Sequence, residues 1–139
     1  MDVNIRFGTE ADKAWLQSID RHIDPEYIDF KLNHREILIA EHNDQAAGYL
    51  RLEYLWTKVP YIGLILVKEE YRGQGIGTAL IQYLQTHLKQ RGLTKLYSSS
   101  QVNEEEPQRW HRTKGFKETG IINGINEEGI GEVFFVKEL

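Results

Sequence analysis

The residues whose types and spacing could do chemistry are Val67-Lys68-Glu69-Glu70-Tyr71-Arg72-Gly73-Gln74-Gly75-Ile76-Gly77-Thr78. An apolar run leads into three glycines within five residues, and a helical pattern follows. Glycine has no Cβ, so successive backbone N–H groups can face one ligand without clash. The first-turn amides of the following helix have no intrahelical acceptor, and together they carry roughly half a positive charge. Such a loop is suited to phosphate oxygens. It also suits a plain tight connection from strand to helix. Two phosphate motifs are excluded by particular residues. A P-loop needs Lys after its last glycine, and Gly77 is followed by Thr78. The dinucleotide fingerprint needs glycine where Thr78 stands, and an acidic residue at the end of the next strand, which instead reads Tyr97-Ser98-Ser99-Ser100-Gln101.

The elements that must position this loop follow from periodicity. Val3, Ile5 and Phe7 alternate with Asn4 and Arg6, as in a half-buried strand. Thr9 is a candidate N-cap, with Asp12 three residues on and Trp15, Leu16 and Ile19 at helical spacing, for a helix ending near Arg21–Asp24. Pro25 and Glu26 open a second short helix through Leu32. Strands are expected at residues 37–40 and 47–55, the latter with Tyr49, Arg51, Glu53 and Leu55 on one face. Tyr61–Val67 is apolar on both alternating faces and reads as a central strand. Ile76, Leu80, Tyr83, Leu84 and Leu88 define a long helix that Arg91 and Gly92 close. A strand over 93–100 comes next, then a helix led by Asn103-Glu104-Glu105-Glu106-Pro107 and stopped at Gly115. Strands over 116–122 and 132–137 end the chain. The order β-α-α-β-β-β-α-β-α-β-β mixes hairpins with crossovers. It predicts an α/β fold with a mixed sheet of about seven strands and flanking helices.

Composition bounds the function. At 139 residues, with no repeat or linker, the expectation is one domain over 1–139. The absence of Cys excludes a disulfide framework, a Cys-ligated zinc site and a thiol nucleophile. Met1–Arg6 lacks the basic patch and apolar core of a signal peptide, and the longest apolar run, Ile62–Val67, is far too short to span a bilayer. A cytoplasmic protein without membrane partners is expected. A net charge of −4 argues against nucleic acid and for cationic small molecules. His22, His34, His42, His87 and His111 show no metal-ligand spacing, and no metal is expected.

Arg72-Gly73-Gln74-Gly75-Ile76-Gly77 resembles the Arg/Gln-x-x-Gly-x-Gly/Ala signature of the GNAT N-acetyltransferases. The apolar strand before the loop and the helix after it match that family. So do Trp110-His111-Arg112-Thr113-Lys114-Gly115-Phe116, which is similar to the family's aromatic-Tyr-x-x-x-Gly-Phe helix end, and the opening Ile5–Asp12. The resemblance covers essentially the whole chain. It implies the acyl-CoA N-acyltransferase fold and acetyl-CoA as co-substrate, with transfer to an amine of a small molecule or peptide by a monomer or homodimer. It implies that the amides from Gln74 to Thr78 hold the CoA pyrophosphate, with Gly73 in the loop and Arg72 lending charge at its start. Leu66 and Val67 would pair through main-chain groups with the pantetheine arm, where the strand splays from its neighbour at 93–100. Asn103, eight residues before His111, is similar to the family's pantetheine-contacting Asn.

Amine acetylation sets further demands. An alkyl amine with a pKa near 10.4 is only about 0.1% neutral near physiological pH, a deficit of roughly 4 kcal/mol. A proton acceptor is needed before attack, an oxyanion must be stabilised, and the departing thiolate needs a proton. In the resembling family that last proton often comes from a Tyr at the position of His111. His111 is therefore the candidate acid, as an imidazole of ordinary pKa near 6.5. The family's strand Glu has no counterpart in Tyr61–Val67. Glu53 is the candidate base, alongside a water relay. Asp20, Asp24, Glu26 and Asp29 are either solvated helix ends or an attractor for a cationic acceptor. The missing strand Glu and the Tyr-to-His change leave a second expectation open: an acyl-CoA-binding sensor or partner module on the same fold, with little or no catalysis.

Overall fold

The alternation of Val3–Phe7 becomes β1, which pairs antiparallel with β2 (Ile37–His42) from Val3 opposite His42 to Phe7 opposite Leu38. The structure, a computed structural model, describes residues 2–139. β3 (Gln45–Leu55), β4 (Val59–Val67), β5 (Lys95–Gln101), β6 (Lys117–Ile122) and β7 (Glu132–Glu138) complete a seven-stranded mixed sheet. Its strand order is β1-β2-β3-β4-β5-β7-β6. The helices are α1 (Lys13–Ile19), α2 (Glu26–Asn33), α3 (Ile76–Gln90) and α4 (Glu105–Thr113). This is the order expected from periodicity. Among the described residues no helix is long and apolar enough to cross a membrane. The chain divides into two compact units, Met1–Leu52 with Leu64–Tyr83, and Glu53–Gly63 with Leu84–Leu139.

In the first unit Leu16, Ile28, Leu32, Ile37, Ile39 and Tyr49 form a buried cluster, with Leu64 and Leu66 packed against it. Each such side chain contributes roughly 1.5–3 kcal/mol of burial. Trp15 meets the Tyr49 ring edge-on at 6.2 Å. The helix start is fixed electrostatically: the Thr9 amide donates to Asp12 Oδ2 at 2.7 Å, and Arg6 grips both Asp12 oxygens at 2.8 and 2.9 Å. That guanidinium holds the Asp12 carboxyl below its ordinary range, and it does the same to Glu41.

Helix α1 stops at Ile19, short of the expected Arg21–Asp24. Asp20 leaves helical geometry (φ −97°, ψ 105°) and turns its carboxylate inward. There Oδ2 accepts from Arg51 Nε at 2.9 Å and from the Tyr49 hydroxyl, while Oδ1 accepts from the His22 amide at 2.9 Å. Asp20, Tyr49 and Arg51 are all buried. Asp20 is thus neither a solvated helix end nor an exposed attractor. Asp29 is paired with Lys13 at 2.9 Å, and Asp24 accepts from the Glu26 amide.

In the second unit β5 pairs antiparallel with β7 over seven positions, from Lys95 opposite Glu138 to Gln101 opposite Glu132. β4 joins β5 in parallel with Tyr61 opposite Tyr97. Along β5 the buried residues Leu96, Ser98 and Ser100 alternate with half-buried Tyr97, Ser99 and Gln101, so the strand has two chemically distinct faces. Gly115 (φ +88°) ends α4 in the left-handed conformation that favours glycine. This turns Phe116 back, with its amide donating to the His111 carbonyl at 3.0 Å.

Candidate active site

The glycine loop is built within the first unit. β4 runs to Val67, a single 3-10 turn follows at Glu69–Tyr71, and α3 starts at Ile76. Gly73 and Gly75 have φ of +77° and +83°, and nothing lies within 4 Å of where a Cβ would stand on either. The amides of Gly73, Gln74, Gly75, Ile76 and Gly77 donate to no other group among the described residues. Thr78 closes the first turn of α3, with Ala79 already bonded back to the Gly75 carbonyl at 3.0 Å. Ile76 and Leu80 anchor the helix in the core, at 1% and 0% exposure. The result is a row of N–H groups without an internal acceptor, at the start of a helix anchored by buried side chains. That is a fit for phosphate oxygens, and crowding at Gly73 and Gly75 does not oppose it.

Arg72 sits at the loop's start with Nε donating to the Val67 carbonyl at 3.1 Å, which ties the loop to the end of β4. Sequence reasoning missed Gly48. A Cβ there would stand 2.7 Å from the Leu66 carbonyl oxygen and 3.4 Å from Ile76 Cγ2, so only glycine lets β3 approach the β4 terminus this closely. The Lys68 amide, bonded to the Ala47 carbonyl at 2.8 Å, seals the same approach. The signal available in the sequence was one glycine inside a strand pattern.

The second unit holds the remaining candidates. His111 is 4% exposed. Its ring stacks on Phe135, with centroids 4.6 Å apart and planes 4° from parallel, and it meets Phe116 edge-on. Nδ1 is 2.7 Å from the Pro107 carbonyl, which can only accept, so Nδ1 carries the hydrogen. Nε2 is 2.7 Å from Ser98 Oγ. Burial pushes the imidazole below its ordinary 6.5, against the opposing pull of the Pro107 carbonyl and Glu132. In the neutral ring that burial favours, Nε2 accepts from the Ser98 hydroxyl. Asn103 lies in the turn between β5 and α4, exposed, with no side-chain partner among the described residues. Glu53 is half-buried near the end of β3.

A polar chain that sequence reasoning did not find crosses three strands of this unit. Tyr61 Oη on β4 is 2.6 Å from Ser99 Oγ on β5. Ser99 Oγ donates to Glu132 Oε2 on β7 at 2.5 Å, and Asn126 Nδ2 donates to Glu132 Oε1 at 2.8 Å. All four residues are half-buried. Alternation in β5 separates Ser99 from Ser98, but only the β5–β7 register brings Glu132 diagonally beside it.

A mixed sheet of this order, with a strand running into a glycine loop and a long helix, is the fold of solved acetyltransferases. The chain belongs to the acetyltransferase (GNAT) family, whose pattern it matches over residues 6–116. It is 25% identical over 95 residues to "Probable N-acetyltransferase 14" of Danio rerio; the match covers 67% of this chain and 34% of that protein, so the chain spans about a third of its length. Solved structures show the same fold. The ribosomal-protein-alanine N-acetyltransferase of Brucella melitensis aligns with TM-score 0.81 at 23% identity, covering 98% of this chain and 99% of that one. Ard1 of Thermoplasma volcanium aligns at 0.86 and 14% identity, covering 100% and 99%. A Bacillus anthracis protein named as a streptothricin acetyltransferase, solved in complex with acetyl coenzyme A, aligns at 0.81 and 18% identity, covering 100% and 99%.

Proposed function

We infer that this chain transfers the acetyl group of acetyl-CoA to a primary amine of a small molecule or peptide, by direct attack in a ternary complex. The observation that carries the reading is the row of amides from Gly73 to Gly77, set on a buried helix start in a member of this family. Among the neighbours, one is named for a ribosomal-protein alanine and another for streptothricin, one peptide and one small molecule. In this reading Gly73–Thr78 receive the pyrophosphate, Arg72 adds positive charge, Leu66 and Val67 offer main-chain groups to the pantetheine arm, and Asn103 meets the arm from the turn before α4. The acetyl group arrives as a thioester. With no Cys in the chain there is no thiol to form a cysteine acyl-enzyme, which supports direct transfer. The protein acts as one domain over 1–139, in the cytoplasm, as a monomer or homodimer.

For the proton steps, Glu53 is the base proposed from the sequence. His111 is better read as a positioning residue than as the acid. A neutral ring stacked on Phe135, with both nitrogens engaged, fixes α4 on β5 and holds no spare proton at the surface. That sequestration also favours the second reading, a module that binds acyl-CoA without turnover. Calorimetric titration with acetyl-CoA, followed by thiol release across a panel of amines, tests both. Binding with turnover on at least one amine supports the enzyme, binding without turnover supports the module, and no binding at millimolar acetyl-CoA refutes both.

A further inference from the structure

β6 (Lys117–Ile122) is the outermost strand of the sheet, beside β7 alone among the described residues, and all six of its residues are exposed. An edge strand leaves one row of N–H and C=O groups unpaired, a template for a further strand. Charge, proline or a bulge usually blocks such a template. Here the block is confined to one end. Thr119 is the extra residue of a bulge between Glu118 and Gly120, and Glu118 is bound to Arg112 at 2.8 Å. From Thr119 to Asn126 eight residues pass without a charge or a proline. Ile121 stands opposite Val133 and Ile122 opposite Glu132, so the two isoleucines take opposite faces, 57% and 46% exposed. Exposed Val102 widens the Ile121 side: methyl groups of both lie 3.5 Å from where a Cβ on Gly131 would stand.

The two ends of this edge carry opposite charge. Past Ile122, the Val102 amide donates to the Gly131 carbonyl at 2.9 Å and ties the turn before α4 to the β6–β7 loop. Those stretches, residues 102–106 and 119–133, hold six glutamates and no lysine, arginine or histidine. At the other end, residues 107–117 run from α4 into β6 with Arg109, Arg112, Lys114 and Lys117 and no carboxylate. Lys137 joins them there, with its Nζ donating to the Lys114 carbonyl at 2.5 Å. Burial first and then the Lys114 charge push the Lys137 pKa down, as a crowd of like charges requires. A parallel copy of this strand would set glutamates on glutamates and lysines on lysines. An antiparallel copy sets each against its opposite, and does so twice about one two-fold axis. We propose that the free edge of β6 pairs antiparallel with the same strand of a second copy, the glutamate end of each strand against the lysine end of the other. The pairing uses each β6 once, so it closes at two copies, and it covers the exposed isoleucines of both. It does not rest on acetyl transfer.

Sedimentation equilibrium of the whole chain measures the dimer constant for the wild type, Ile121→Lys, Lys117→Glu, Glu127→Lys and the last two combined. All three positions are exposed, and circular dichroism checks the fold of each variant. The wild type should dimerise at micromolar concentration, and more weakly in high salt. Ile121→Lys should weaken the dimer at least about tenfold, because the symmetry counts each loss twice. Each charge reversal alone should weaken it about tenfold, and the combination should return to within about threefold of the wild type. The chain has no Cys, so single cysteines report the contact directly. Mild oxidation of Thr119→Cys, Gly120→Cys, Ile121→Cys and Ile122→Cys should link two chains at one or two adjacent positions, where residues facing across the axis come within disulfide reach. Tyr27→Cys, comparably exposed on α2, should stay unlinked. A wild-type chain that remains monomeric throughout the micromolar range overturns the proposal. So does a dimer that Ile121→Lys leaves intact, or one in which the two charge reversals fail to compensate each other.

Discussion

Replacing His111 by Phe separates positioning from acid catalysis. Phe keeps the flat ring stacked on Phe135 and the edge contact with Phe116, so the packing largely survives. The hydrogen bonds do not. Pro107 lies in the first turn of α4 and its carbonyl keeps the helical partner four residues on, so the loss centres on the buried Ser98 hydroxyl. Leaving one buried hydroxyl without its acceptor costs about 1–3 kcal/mol. The pH dependence supplies a second signature. Burial lowers the folded-state pKa of His111 below the 6.5 of an exposed imidazole, so the unfolded chain binds a proton more readily. The stability held in the neutral ring is therefore complete above pH 6.5 and is lost as pH falls below it, with a slope of at most about 1.4 kcal/mol per pH unit. His111→Phe lacks this titration. Urea unfolding at pH 7.5 and 5.5 should show the variant less stable at pH 7.5 and the gap narrowing at pH 5.5. Thiol release at pH 7.5 should keep kcat within a few-fold. A kcat about 100-fold lower, with wild-type stability and an unchanged pH response, would refute the positioning role and restore His111 as the acid.

Gly48→Ala sets a methyl group against the Leu66 carbonyl, and the overpacking should cost about 1–3 kcal/mol and weaken acetyl-CoA binding; thermal unfolding and calorimetry check this. Asp20→Asn removes the buried carboxylate to which Arg51 Nε and the Tyr49 hydroxyl donate and should lower stability, read from the urea midpoint. Arg6→Gln should flatten the acid side of the stability profile. Arg6 holds the Asp12 and Glu41 carboxyls below their ordinary 3.8 and 4.5, so its contribution is present above that range and is lost as pH falls through it. Urea midpoints from pH 7 to 3 should show the variant and wild type converging at the acid end.

Much of this molecule was legible in its sequence because the decisive signals are local. Hydrophobic period together with proline, acidic and glycine boundary signals gave the order of strands and helices, and the need for left-handed backbone at Gly73, Gly75, Gly92 and Gly115 explains why glycine punctuates those elements. The glycine loop was legible for the same reason: its amides are set by three residues and the helix they open. Asp20 was not. Whether a carboxylate at a helix end faces water or the core depends on Tyr49 and Arg51, some thirty positions away on β3. His111 was legible as a helix residue of chemical interest, but its two partners lie on different elements, and Ser98 carries no mark that sets it apart from Ser99. Tyr61 and Glu132 were invisible as a pair, because no spacing rule links a parallel neighbour to an antiparallel one across a third strand.

The triple serine of β5 has one more consequence. Three identical hydroxyls in a row offer a donor to both faces of the strand in either register, so the serines cannot encode which of them anchors His111 and which meets Glu132. A slip of one residue would exchange their duties without changing a side-chain type. The register is set instead by their greasy neighbours: the same slip would drag fully buried Leu96 to the half-open face and force the phenol of Tyr97 into the core. In β5 the apolar positions hold the address, and the hydroxyls are interchangeable tenants.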